Sequence, residues 1–264
     1  MENQPIGIFD SGIGGLTVLK ELVKELPDED FIYFADSKNA PYGPRPVEEV
    51  TDLSRRIIKF LLSKGCKIII IACNTATAAA VYQMRKEFKV PIVGLEPAVK
   101  PACLKTKTRH VGVLATEGTF RGAHFKNTSD KYKKYVSLHM EIAKELVELA
   151  EKGIFSGQYV DEVIAKYVKP LKANNVDHIV LGCTHYPFFR DTIQRFAGEE
   201  IKIIDSSEAI ARRTKDILMT MQILRVSNPS QKIDVYTSSS EEQIRNIANM
   251  YIGASMTFYG NVII

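Results

Sequence analysis

Apolar runs of strand length alternate with stretches of helical period along the chain. IGIFD at 6–10 predicts a strand. Leu16, Leu19, Leu22, Val23 and Leu26 then share one helical face, and Pro27 ends it. FIYFA at 31–35 predicts a second strand, and Val50, Leu53, Ile57, Ile58, Leu61 and Leu62 mark an amphipathic helix. KIIIIA, an Ala-rich helix from about 76 to 88 and PIVGL at 91–95 follow. The pattern restarts near residue 110 with the strand HVGVLA and a helical stretch around 117–127. A strand YVSLH at 135–139, helices near 141–152 and 157–173, and strands HIVLG at 178–182 and KIIDS at 202–206 complete it. The tail from about 207 predicts a helix over 207–224, a strand KIDVY at 232–236, a helix near 240–251 and a last strand MTFYG.

The two halves overlay. Gly7 to Cys73 is 66 residues and Gly112 to Cys183 is 71, while Cys73 to Leu95 and Cys183 to Asp205 are both 22. IGIFDSGIGG and VGVLATEGTF open the halves alike. This spacing predicts an internal pseudo-repeat. The fold class is therefore α/β, with two pseudo-symmetric units, each a parallel sheet flanked by helices. Ligands of such sheets sit beyond the carboxyl ends of the strands. Asp10, Ser11, Cys73 and Cys183 all fall at that end. The tail carries no cysteine motif and is expected to complete one of the two units.

Composition changes this picture little: 45% hydrophobic and 25% charged residues over 264 positions are ordinary for a globular protein. The net charge is only +4, and KTKTRH at 105–110 is too short for a nucleic-acid surface; it predicts a solvated linker. No run approaches the roughly 20 apolar residues that span a bilayer. MENQPIGIFDSG turns strand-like at once, so neither a leader nor a membrane partner is expected. Cysteines 66, 73, 103 and 183 show no metal-ligand spacing, which predicts reduced thiols in the cytoplasm and no metal.

Cys66 and Cys103 fit buried core cysteines. Cys73 does not. It stands where a strand turns into a helix, beside Asn74, Thr75 and Thr77, and a helix N-terminus favours a thiolate. Cys183 repeats the arrangement, with Thr184 and then His185 as proton partner or thiolate stabiliser. Two thiols in equivalent positions suggest two opposed acid/base groups, as inversion of a stereocentre requires. A Cys/His hydrolase would leave Cys73 without a role. The dinucleotide fingerprint G-x-G-x-x-G fails at Thr17, and Asp36 is a weak ribose partner. The glycines after Asp10 and Ser11 are instead expected to bring backbone close to a small anion, with Asp10 holding an ammonium group or assisting Cys73. Tyr42 and Gly43 lie in the turn-rich loop 35–46 at the same edge.

Together these motifs resemble the glutamate racemase family. The matching segments are GIFDSGIGGLTV at 7–18, YFADSKNAPYG at 33–43, ACNTATA at 72–78, GLEPAVKPA at 94–102, GVLATEGT at 112–119 and LGCTHYP at 181–187. The resemblance implies a cofactor-independent isomerase that interconverts L- and D-glutamate and supplies D-glutamate for peptidoglycan. It implies that Cys73 and Cys183 are the catalytic thiols, assisted by Asp10 and His185. It places Asp10, Ser11, Tyr42, Gly43, Asn74, Thr75, Thr184 and His185 around the substrate glutamate. It also implies two domains across a cleft, 1–97 plus 207–264 with Cys73 and 98–206 with Cys183; a homodimer is compatible with it. LHMEIAKELVELAEKG lacks the Cys-Pro of many members, and Glu148 and Glu151 both fit the acidic position there. The alternatives left open are a racemase of aspartate or hydantoin, or a non-catalytic anion-binding relative.

Overall fold

The computed structural model describes residues 2–227 and 230–264. The chain runs β1 (Ile6–Asp10), α1 (Leu16–Glu25), β2 (Phe31–Ala35), α2 (Val47–Ser63), β3 (Ile68–Ile71), α3 (Asn74–Glu87) and β4 (Ile92–Gly94). It crosses over through α4 (Val99–Lys105) to β5 (His110–Ala115), α5 (Glu117–Arg121), α6 (Ala123–Tyr132), β6 (Ser137–Ile142), α7 (Lys144–Glu151), α8 (Gln158–Ala173), β7 (His178–Gly182), α9 (Arg190–Ala197) and β8 (Lys202–Ile204). It returns through α10 (Ser207–Thr220), β9 (Ile233–Thr237), α11 (Glu241–Ile252) and β10 (Thr257–Tyr259).

Every residue of β1, β2, β3 and β7 is buried. Continuous Ile, Val and Phe runs suit only strands covered on both faces, which is the condition of a parallel sheet between helix layers. All strand pairs are parallel. One sheet has the order β10-β9-β2-β1-β3-β4 and the other β6-β5-β7-β8. The inner order 2-1-3-4 recurs as 6-5-7-8, so the repeat read from spacing is a repeat of topology. Its register agrees: Gly7 pairs with Ile69 and Gly112 with Ile179, four residues before Cys73 and Cys183 respectively. One apolar core runs across both sheets, joining Ile68 and Leu16 to Leu146, Leu181 and Ile210.

Several elements differ from expectation. The stretch around 117–127 is two helices meeting at Gly122, and the strand expected at 135–139 lies at 137–142. The helices α4 and α9 were not foreseen. Each is short, and α9 buries only Ile193 and Ala197, too few positions to establish a helical period.

The segment KTKTRH is tied down rather than free. Asp177 accepts the Thr106 hydroxyl at 2.7 Å and the backbone N–H groups of Lys107 and Thr108 at 2.5 and 3.1 Å, and it pairs with His178. Burial opposes the Asp177 charge, but these donors outweigh it and hold the carboxyl well below its ordinary value. A depressed carboxylate contributes stability above its unfolded value of about 4 that is lost as pH falls toward the folded one. Asp177→Ala is expected to cost about 2 kcal/mol at neutral pH and to flatten the acid limb of the melting-temperature profile, as read by calorimetry.

Candidate active site

Asp10 ends β1 and is fully buried. Its Oδ1 accepts the Gly12 N–H at 2.9 Å and the Ser11 hydroxyl at 3.4 Å. Its Oδ2 accepts the Thr184 hydroxyl at 3.0 Å, from the far unit. Burial raises the Asp10 carboxyl, with the Glu151 charge adding to it and His185, Gly12 and Thr184 opposing.

Cys73 is the N-cap of α3. Its sulfur accepts the Ala76 N–H at 3.4 Å, and its S–H donates to Ser11 Oγ at 3.9 Å. The helix start was expected to favour a thiolate. Instead, burial pushes the thiol well above its ordinary value, the Asp10 charge adds to that, and the Ala76 N–H offsets only part. Removal from water outweighs one turn of helix dipole. Cys73 is thus a thiol here, linked through Ser11 to Asp10.

Cys183 is held differently. A 3-10 turn at Tyr186–Phe189 follows it and α9 begins only at Arg190, so the strand-to-helix junction of Cys73 is not repeated. His185 takes its place: Nδ1 is 3.6 Å from the Cys183 sulfur, and Nε2 is 2.5 Å from Glu151 Oε1. Burial alone would lower the His185 pKa. The bonds to Cys183 and Glu151 outweigh burial and hold the ring well above its ordinary value, as an imidazolium donating from both nitrogens. Glu148 is exposed at the same helix end, so Glu151 occupies the acidic position that the sequence left open.

The turn Ser11–Gly15 explains its own glycines. A Cβ on Gly12 would overlap the Glu151 carboxylate, and one on Gly14 would lie 2.5 Å from Thr184 Oγ1 and 2.6 Å from His185 Nδ1. The close approach expected of these glycines is present, and on the protein side it is to the side-chain cluster of the opposite unit.

Both sulfurs line one tight hollow of about 20 Å³, with Ser11, Tyr42, Gly43, Asn74, Thr75, Thr184 and His185 in its wall. Asp10 stands behind that wall. The Tyr42 hydroxyl faces away, donating to Asp36 Oδ2 at 2.6 Å, so Tyr42 offers only its ring. Asp36 also accepts from Asn39 of its own loop and from Ser238, just after β9, and is not in the wall of the hollow. Sequence reasoning missed Thr116, whose hydroxyl is 2.9 Å from that of Thr75 and lines the hollow. The signal existed, because overlaying the repeats puts Thr116 on Ser11. Asn74 Oδ1 is buried without a hydrogen-bond partner, an acceptor open to a donor in the hollow. Two roomier hollows, of about 470 and 730 Å³, contain neither cysteine; convergence of titratable groups identifies a site better than size does.

Cys66 and Cys103 are buried outside the hollow, and burial pushes them up to about 12 and about 11, as inert core thiols. Among the described residues no three His, Cys, Asp or Glu side chains converge as a metal-ligand set. No described helix is long and apolar enough to cross a membrane.

The Asp/Glu/Hydantoin racemase family model matches residues 6–214. A glutamate racemase of Herpetosiphon aurantiacus is 42% identical over 247 residues, 94% of this chain and 97% of that protein. The solved structure of glutamate racemase isoform RacE1 from Bacillus anthracis superposes with a TM-score of 0.90 at 31% identity, over 98% of both chains. A Francisella tularensis glutamate racemase solved in complex with D-glutamate superposes at 0.85 with 29% identity, again over 98% of both. The chain belongs to the glutamate racemases of the Asp/Glu/Hydantoin racemase family.

Proposed function

We propose that this chain interconverts L- and D-glutamate with Cys73 and Cys183 as opposed acid and base, without a cofactor, and so supplies D-glutamate for peptidoglycan. The observation that carries the proposal is that both sulfurs face one hollow, each backed by its own line to a carboxylate: Cys73–Ser11–Asp10 and Cys183–His185–Glu151.

In one direction Cys183 starts as thiolate beside the His185 imidazolium and Cys73 as thiol. The thiolate takes the α-proton from one face. The carbanion is then protonated by the Cys73 thiol from the other face, which leaves the protonation states exchanged and ready for the opposite enantiomer. A single base would tend to return the proton to the face it left. The Thr75–Thr116 hydroxyl pair can donate to a substrate carboxylate, and the open Asn74 acceptor suits the ammonium group. Both thiols are buried, so glutamate enters only when the two sheets part. We take the moving bodies as 1–97 plus 207–264 and 98–206, hinged where the chain crosses between sheets.

Incubation of the purified chain with L-glutamate and no added cofactor should yield D-glutamate by chiral chromatography, running to an equal mixture. L-aspartate should remain unconverted. Turnover of L-aspartate with none of L-glutamate would overturn the substrate assignment.

A further inference from the structure

Tyr33, in the middle of β2, is fully buried and plays no part in the hollow. Its hydroxyl nevertheless donates to the Gly12 carbonyl at 2.7 Å. That carbonyl belongs to the same peptide unit as the Ile13 N–H, which crosses the cleft to Glu151 Oε1 at 3.1 Å. The same oxygen receives His185 Nε2, and His185 Nδ1 faces the Cys183 sulfur. A continuous hydrogen-bonded line therefore runs from the first sheet, through one peptide unit, into the acid/base line of the second. Gly15 leaves room for it, since a Cβ there would lie 2.7 Å from the Tyr33 hydroxyl. Cys73 has no share in this line; its contacts are Ser11 and Ala76, within its own unit.

We propose that Tyr33 is a positioning residue for the Cys183 half of the reaction. Its hydroxyl fixes the Gly12–Ile13 peptide so that the Ile13 N–H docks on Glu151, completing the Glu151–His185–Cys183 line only when the two units are closed. Donating to the carbonyl of a peptide also strengthens its N–H as a donor, because linked hydrogen bonds polarise one another. Closure and readiness of Cys183 are thereby one event. The inference rests on the two-thiol function proposed above.

The test is Tyr33→Phe, assayed with α-deuterated L- and D-glutamate. Since the reaction has an equilibrium constant of one, kcat/KM must fall equally for both enantiomers, by about tenfold for a lost buried hydrogen bond. The two substrate isotope effects should separate. The effect rises for the enantiomer that Cys183 deprotonates, because that transfer becomes more limiting, and the ratio of the two effects departs from its wild-type value. A merely structural role lowers activity and leaves the ratio unchanged, and that result overturns the proposal. Should Tyr33→Phe fail to fold, Glu151→Gln, which keeps the side-chain shape, must shift the ratio in the same sense; an unchanged ratio there overturns it equally. Failure of the underlying function is distinguishable, because it shows in the wild-type protein as no racemisation of either substrate.

Discussion

Cys73→Ala and Cys183→Ala are each expected to fold and to lose racemisation by about 10³- to 10⁴-fold in both directions. Each thiol is the base for one enantiomer and the acid for the other, so neither direction survives loss of either sulfur. Folding should persist because each change removes one sulfur from a wall that already encloses a hollow. The expected cost is about 1 kcal/mol, readable as a small shift in the thermal melt. Chiral chromatography on protein shown to be folded by circular dichroism checks the prediction. Full activity in either variant would contradict a role for that thiol.

His185→Asn is expected to lower kcat by about 10²-fold with a much smaller change in KM. Asparagine can still present an N–H toward the Cys183 sulfur, but it supplies no positive charge. The wild-type ring is held protonated well above its ordinary value by Cys183 and Glu151 against the effect of burial. The sign follows from that shift. A raised histidine contributes fully below its unfolded value of about 6.5, and its contribution is lost as pH rises through the folded value. Wild-type activity and melting temperature should therefore both decline on the alkaline side. His185→Asn should lack that alkaline decline in stability, which a melting profile across pH would show.

Much of this site is legible in the sequence because its pieces are local. Buried parallel strands read as unbroken apolar runs, and each motif residue follows its strand closely, so spacing alone places Ser11, Cys73, Asn74, Thr75, Cys183 and Thr184 at the carboxyl ends of their strands, though not that the two sheets bring those ends together. The pseudo-repeat is legible because Gly7 and Gly112 hold the same register position. What is not legible depends on contacts between distant segments. Glu148 and Glu151 lie one helical turn apart, and contacts from distant segments, His185 and the Gly12–Gly14 turn of the other unit, distinguish them. The protonation of Cys73 departs from expectation for a related reason: local sequence shows the helix start but not the depth of burial. Asp10 proves to be shared, reaching Cys73 through Ser11 while also accepting Thr184 from across the cleft.

The central claim is that two thiols act on opposite faces of one carbon. The most direct test is early turnover of L-glutamate in heavy water, with the isotope at the α-carbon of each enantiomer read by mass spectrometry after chiral separation. The account predicts that newly formed D-glutamate carries deuterium from its first appearance, while the remaining L-glutamate still carries protium. D-glutamate that retains its original proton, or deuterium entering both enantiomers at the same rate, would show a single base serving both faces and would contradict it.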